Sequence, residues 1–144
     1  MKKEKAFKST VLLDKHHLRR TPVREQVLGL FMDKSHALSH SDIEQVLSGE
    51  FDRVTIYRTL TSFLDKGLVH KIPADNGQTR YALCSDGCDE DAHHHSHVHF
   101  SCSQCGQTFC LEHIHIPTIN LPKGYTLTEL NYIASGTCMG CNVK

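Results

Sequence analysis

Apolar positions in the first half of the chain recur at helical spacing, each group set off by capping residues. Val11, Leu12 and Leu13, followed by Lys15 and His16, allow a short helix over 9–17. A firmer helix begins at Thr21-Pro22, because threonine caps and proline is preorganised for the first helical position. Val23, Val27, Leu28, Leu30 and Phe31 then form its apolar stripe, with His36 in the exit loop. Ser39 with Asp42, or Ser41 with Glu44, reads as the capping start of a helix that buries Ile43, Val46 and Leu47. Asp52 caps a further helix over 53–66, closed by Gly67. Two strands, 68–73 and 79–83, flank Asp75-Asn76-Gly77, a hairpin signal. Three helices followed by a hairpin, with short turns, is the order of a winged helix-turn-helix.

The helix over 53–66 has two distinct faces. On a wheel of about 100° per residue, Leu60, Phe63 and Leu64 lie within about 80° of Ile56. Val54, Arg58, Thr61 and Ser62 lie on the opposite side, with Tyr57 on the flank. A guanidinium, a phenol, hydroxyls and a small apolar group suit phosphates, base edges and thymine methyls in a major groove. A solvated face that happens to hold an arginine is the alternative. The hairpin and the basic residues Lys15, Arg19, Arg20 and Arg24 favour DNA.

Beyond the hairpin the pattern changes. Residues 85–92 are polar and acidic and read as a linker or mobile loop. After them, 97–102, 107–111 and 125–135 read as strands, while Pro117, Pro122 and Gly124 break any long helix between. The expected organisation is a winged-helix domain over 1–84, an acidic and His-rich linker or loop over 85–95, and a zinc-binding module over 96–144. Charge follows the same division. The 144 residues carry 16 basic and 16 acidic side chains, but residues 1–72 hold 13 basic against 9 acidic and residues 73–144 hold 3 against 7. The zero total is thus the sum of a basic half and an acidic one. No run approaches the roughly 20 apolar residues of a membrane span, and the Lys-rich start is not followed by a signal-peptide pattern.

All seven cysteines lie in the second half. An odd count without an export signal argues against a disulfide framework and for a reducing, cytoplasmic compartment, where clustered Cys and His hold metal. Cys102-x-x-Cys105-Gly106 and Cys138-x-x-Cys141 form two knuckle pairs, enough for one closed tetrahedral zinc site. A redox pair and unrelated thiols are the weaker readings. Full coordination leaves no open position, so the role of that ion is structural. His97 and His99 share one face of a strand and make a metal half-site, completed best by His70 and Cys84 at the two ends of the hairpin. A thiolate beside imidazoles favours Zn(II) over Mn(II) or Fe(II). His16, His17, His36 and His40 read as solvated or core residues. His93, His94 and His95 read as ligands, as a loosely bound extra site, or as a polar loop. Cys88 and Cys110 are left unassigned, as are Glu112, His113 and His115.

This constellation resembles the ferric uptake regulator superfamily of bacterial metal-responsive repressors. The likeness runs over nearly the whole chain: Leu18-Arg-Arg-Thr-Pro-Val-Arg24, the segment 36–43, Arg53-Val-Thr-Ile-Tyr-Arg-Thr-Leu60, the hairpin, the His-rich segment and both Cys-x-x-Cys pairs. The resemblance implies an α+β protein, with a winged helix followed by a small zinc-stabilised α/β dimerisation module. It also implies a homodimer that binds palindromic double-stranded DNA when loaded with metal. Positions matching Val54, Tyr57 and Arg58 face DNA in that family, and the one matching Arg19 lies near the minor groove.

The departures narrow the reading. The family's His-His-Asp-His segment falls on Ser96-His97-Val98-His99, so an additional site that uses the first His and the Asp is absent or rebuilt. Ala82 stands where iron-sensing members often place glutamate, whereas His70 and Cys84 fall where zinc-sensing members place ligands. Val98 also argues against a peroxide sensor, which uses an Asp there. The expected protein is therefore a zinc-responsive repressor of metal-homeostasis genes, with one structural and one regulatory Zn(2+) per chain. The same fold sensing Fe(II), Mn(II) or Ni(II) is the runner-up, and a zinc-stabilised interaction module without specific DNA binding is a third reading. An enzyme is not expected: the deaminase signature, His-x-Glu with Pro-Cys-x-x-Cys, is missing.

Overall fold

The computed structural model describes residues 2–34, 36–72, 78–83, 98–111, 114, 116–128 and 130–142. The hairpin turn at 75–77, the linker at 85–95, and Cys84, Cys88, His97, Glu112, His113 and His115 lie outside them. The chain divides into two compact units, Met1–His94 and His95–Lys144.

In the first unit, helix α1 spans Lys2–Lys15, α2 Pro22–Asp33, α3 His40–Leu47 and α4 Arg53–Asp65. Strand β1 covers Leu38–Ser39, β2 Val69–Ile72 and β3 Arg80–Leu83, in the sheet order β1-β3-β2 with both pairings antiparallel. Local chemistry fixes the boundaries. Thr21 caps α2 by accepting from the Arg24 amide, with Pro22 at the first position. Ser39 and Asp42 close a reciprocal capping box, which selects Ser39 over Ser41 as the start of α3. Asp52 accepts from the Thr55 amide at 2.7 Å and starts α4. Gly67, at φ +74°, ends α4, and the Leu68 amide then reaches back to the Phe63 carbonyl at 2.9 Å. His17, at φ +58°, turns the chain out of α1 in the same way, and the Leu18 amide donates to the Leu13 carbonyl at 2.8 Å. This sends Leu18 into the core and leaves Arg19 and Arg20 exposed.

One apolar core gathers Leu13 and Leu18 with Val27, Leu28 and Phe31 of α2, Ile43 and Leu47 of α3, and Ile56, Leu60 and Phe63 of α4. Three expectations need correction here. Helix α1 starts at Lys2 rather than near Ser9, because packing on α2 and the Lys5–Asp33 ion pair extend it beyond its apolar segment. Val46 is 58% exposed instead of buried; it stands at the edge of the stripe that Ile43 and Leu47 bury, about 100° around the helix from Leu47. Strand β1 was not expected, and exists because two residues before α3 find the free edge of β3.

In the second unit, β4 spans Val98–Cys102, β5 Thr108–Leu111 and β6 Tyr132–Gly136. Their order is β5-β4-β6, with β5 antiparallel and β6 parallel to β4. The strand expected over 125–135 therefore begins only at Tyr132. Gly124 is at φ +95°, and the Tyr125 amide turns back to the Pro122 carbonyl at 3.2 Å, which precludes an extended path there. The described residues of this unit contain strands and turns, so the helical part of the expected α/β module is not among them. Gly136 lies against the Phe100 ring, where a Cβ would come within 3.2 Å. Among the described residues of the unit only His99, Cys102 and Thr108 are buried, while Ile119, Leu121, Leu127 and Leu130 are exposed.

Candidate metal centre and nucleic-acid interface

Strand β4 ends at Cys102, and the tight turn that follows carries Cys105 and Gly106, the latter at φ +74°. Cys138 and Cys141 sit in the turn after β6, and the parallel pairing of β6 with β4 brings the two knuckles together. Their four sulfurs all lie within 4.8 Å of one another, and Cys105 Sγ is 3.8 Å from Cys138 Sγ. A disulfide needs about 2.05 Å, so these are thiols. An ion about 2.3 Å from each of four tetrahedral sulfurs sets them about 3.8 Å apart, so the donor set and spacing fit zinc.

Backbone amides prepare one sulfur for that charge. The amides of Cys105 and Cys138 donate to Cys102 Sγ at 3.5 and 3.3 Å. Chiefly for this reason, the Cys102 thiol is pulled down to about 6. Cys141 is pushed up to about 12, first by its hydrogen bond with Cys138 and then by burial. Packed thiols resist ionising together, and a divalent cation at their centre removes that resistance.

Candidate ligands of a second kind occur in both units. His70 lies on β2 opposite Ala82 and is only 4% exposed. His99, 3% exposed, stands on β4 directly across from Cys110 on β5, and their donor atoms lie within 4.8 Å of each other. Sequence reading left Cys110 unassigned. The signal that finds it is strand register: two residues opposite each other in an antiparallel pair project to the same face. Within the second unit the chain thus carries a four-cysteine set and a His99–Cys110 pair of metal donors, and the first unit carries a buried imidazole, His70. The other two expected ligands, Cys84 and His97, lie outside the described residues.

Helix α4 behaves as its wheel requires. Ile56, Leu60 and Phe63 are buried, whereas Val54 and Tyr57 are 57% and 60% exposed and Arg58 is open to solvent. Arg19 is also exposed, its carbonyl accepting from Arg24 Nη1 at 2.8 Å. Cationic and aromatic groups on an unobstructed helix are what a DNA-contacting surface requires. Among the described residues no helix is long and apolar enough to cross a membrane.

The ferric uptake regulator family model matches residues 15–129. The chain is 31% identical over 147 aligned positions to the peroxide-responsive repressor of Staphylococcus saprophyticus, covering 94% of this chain and 90% of that protein. It is 30% identical over 132 positions to the zinc uptake regulation protein of Escherichia coli, covering 87% and 74%. A solved zinc uptake regulator complexed with zinc and DNA superposes with a TM-score of 0.66 at 23% identity, over 96% of this chain and 93% of that one. With the two knuckles, the exposed polar face of α4 and a matching family model over most of its length, the chain belongs to the ferric uptake regulator family of metal-responsive, DNA-binding transcriptional repressors, which are not enzymes.

Proposed function

We propose that this repressor responds to zinc and binds a palindromic operator as a homodimer in the cytoplasm, controlling metal-homeostasis genes. Peroxide, iron and zinc regulators all appear among its relatives, so the choice rests on donor chemistry. The observation that carries it is the thiol of Cys110 placed across from His99. Together with Cys84 it gives a mixed thiolate and imidazole set, which selects Zn(II) over the harder Mn(II) and Fe(II). In this reading Cys102, Cys105, Cys138 and Cys141 hold a structural ion. His70, Cys84, His97 and His99, with Cys110 added, hold the regulatory one.

Zinc at the regulatory set supplies positive charge that lets thiolates and imidazoles share one centre. Drawing ligands from both units makes their relative arrangement depend on metal, and by reciprocity operator DNA raises metal affinity equally. Val54, Tyr57 and Arg58 read the major groove, and Arg19 approaches the minor groove. Exposed Ile119, Leu121, Leu127, Leu130 and Ile133, in a unit with so few buried residues among those described, support a second copy as the occupant of that apolar surface.

The test is zinc titration of operator binding by Cys84→Ala and His97→Ala. Loss of zinc dependence with the structural ion retained supports the assignment, and unchanged zinc dependence refutes it. Metal competition against Fe(II), Mn(II) and Ni(II) under reducing conditions decides between zinc and the same fold sensing another ion.

A further inference from the structure

The start of α3 carries a histidine whose contacts are not those of a solvated side chain. His40 Nε2 lies 3.3 Å from the carbonyl oxygen of Arg53, the first residue of α4. A carbonyl only accepts, so Nε2 carries the proton in that bond. The other nitrogen, Nδ1, is 3.4 Å from Glu44 Oε2, and the same carboxylate oxygen is 3.9 Å from Arg53 Nε. The imidazole also packs at a tilt on Tyr57, with ring centres 6.3 Å apart. A groove of about 510 Å³ opens here, lined by His40, Ser41, Arg53, Tyr57, Gln78 and Thr79. It lies between the starts of two helices and the wing, and its walls are rich in hydrogen-bond donors.

We infer that His40 is a positioning residue for DNA recognition, fixing the first turn of α4 against the start of α3 and making operator affinity depend on its own protonation. The inference rests on the reading of α4 as the DNA-contacting helix. A neutral imidazole has one N–H, used on Arg53, and turns a lone pair toward Glu44. A protonated one donates to both oxygens. It then adds a cation beside the groove and competes with Arg53 for Glu44, releasing the guanidinium toward a phosphate. Other charged or titratable groups at this place are Glu44 on its own helix, Arg53 and Tyr57 on α4, and Tyr81 on β3. Phenols do not ionise where histidine titrates, and burial pushes Tyr81 up further, with Tyr57 adding to the rise. Protonation of His40 therefore strengthens binding to a polyanion.

The test uses full-length, zinc-saturated protein and a duplex selected from a random pool by the wild type. Fluorescence anisotropy follows binding at fixed salt for the wild type, His40→Ala and His40→Gln, from about pH 8 to about pH 6. His40→Ala is expected to weaken binding about 10-fold, and His40→Gln, which keeps one donor for Arg53, to recover most of that. The ratio of wild-type to His40→Gln affinity is expected to rise as pH falls; taking a ratio cancels proton effects at the metal ligands common to both. If His40→Ala loses helical circular dichroism, the glutamine variant carries the test alone. A ratio that stays constant with pH, or an alanine variant that binds like the wild type, overturns the inference alone. A wild type that selects no duplex overturns the DNA-binding reading and this inference with it.

Discussion

Replacing Cys138 with serine removes one of four sulfurs that stand within 4.8 Å of one another. A structural zinc site contributes roughly 10–16 kcal/mol at neutral pH, so one ligand's share is about 3 kcal/mol, or about two orders of magnitude in affinity. The second unit has little to offset that loss. Among its described residues three are buried, one of them Cys102 itself, and the parallel pairing of β6 with β4 is tied off by the knuckles. The first unit closes its core over Leu13, Leu28, Ile43, Ile56 and Phe63 without any cysteine. Cys138→Ser is therefore expected to lose its tightly held ion and the strand pairing of the second unit, while keeping the helices of the first. Zinc release during thiol titration, read beside far-ultraviolet circular dichroism and amide exchange, measures both. A variant that retains a full equivalent of zinc and protected β4 and β6 amides refutes the account of this centre.

Other substitutions probe the rest of the molecule. Phe63→Ala empties a fully buried position in the core and should cost about 3–5 kcal/mol in urea unfolding; a loss below about 1 kcal/mol contradicts the packing described. Ser39→Ala breaks the capping box of α3 and should cost about 1 kcal/mol, with Ser39→Thr, which keeps the hydroxyl, recovering most of it. The Asp52 carboxyl is held below its ordinary value, first by its hydrogen bonds with Thr55, so it stabilises the fold fully above the usual carboxylate range and less as pH falls through it. Asp52→Asn should remove that part of the acid-limb dependence in pH-dependent unfolding, and an unchanged limb refutes the capping role. Arg58→Ala should weaken operator binding by about 1–3 kcal/mol in anisotropy titrations, and full affinity excludes Arg58 from the contact surface.

Much of the first unit was legible because its signals are local. Thr21-Pro22, the Ser39–Asp42 box, Asp52 and Gly67 act within a few residues of where they stand, and the stripe of Ile56, Leu60 and Phe63 repeats at one period. What the sequence concealed depends on distant partners. The first turns of α1 are Lys-rich and carry little apolar pattern, and packing on α2 supplies what the local sequence lacks. Strand β1 is two residues long and has no pattern of its own; the edge of β3 makes it. Residues 125–131 are rich enough in Tyr, Leu and Thr to read as strand, but among the described residues the pairing with β4 runs only from Tyr132 onward. The candidate site divides in the same way. The two knuckles are visible as spacing, whereas Cys110 becomes a ligand candidate only when register sets it across from His99.

The most direct test of the central claim is operator affinity measured against buffered free metal, under reducing conditions, for the protein with its structural four-cysteine ion in place. Zinc is expected to raise DNA affinity at a lower free concentration than Fe(II), Mn(II) or Ni(II), and Cys110→Ala to shift that zinc midpoint upward while leaving the structural ion bound. DNA affinity that ignores zinc, or that responds first to Fe(II) or Mn(II), contradicts the account.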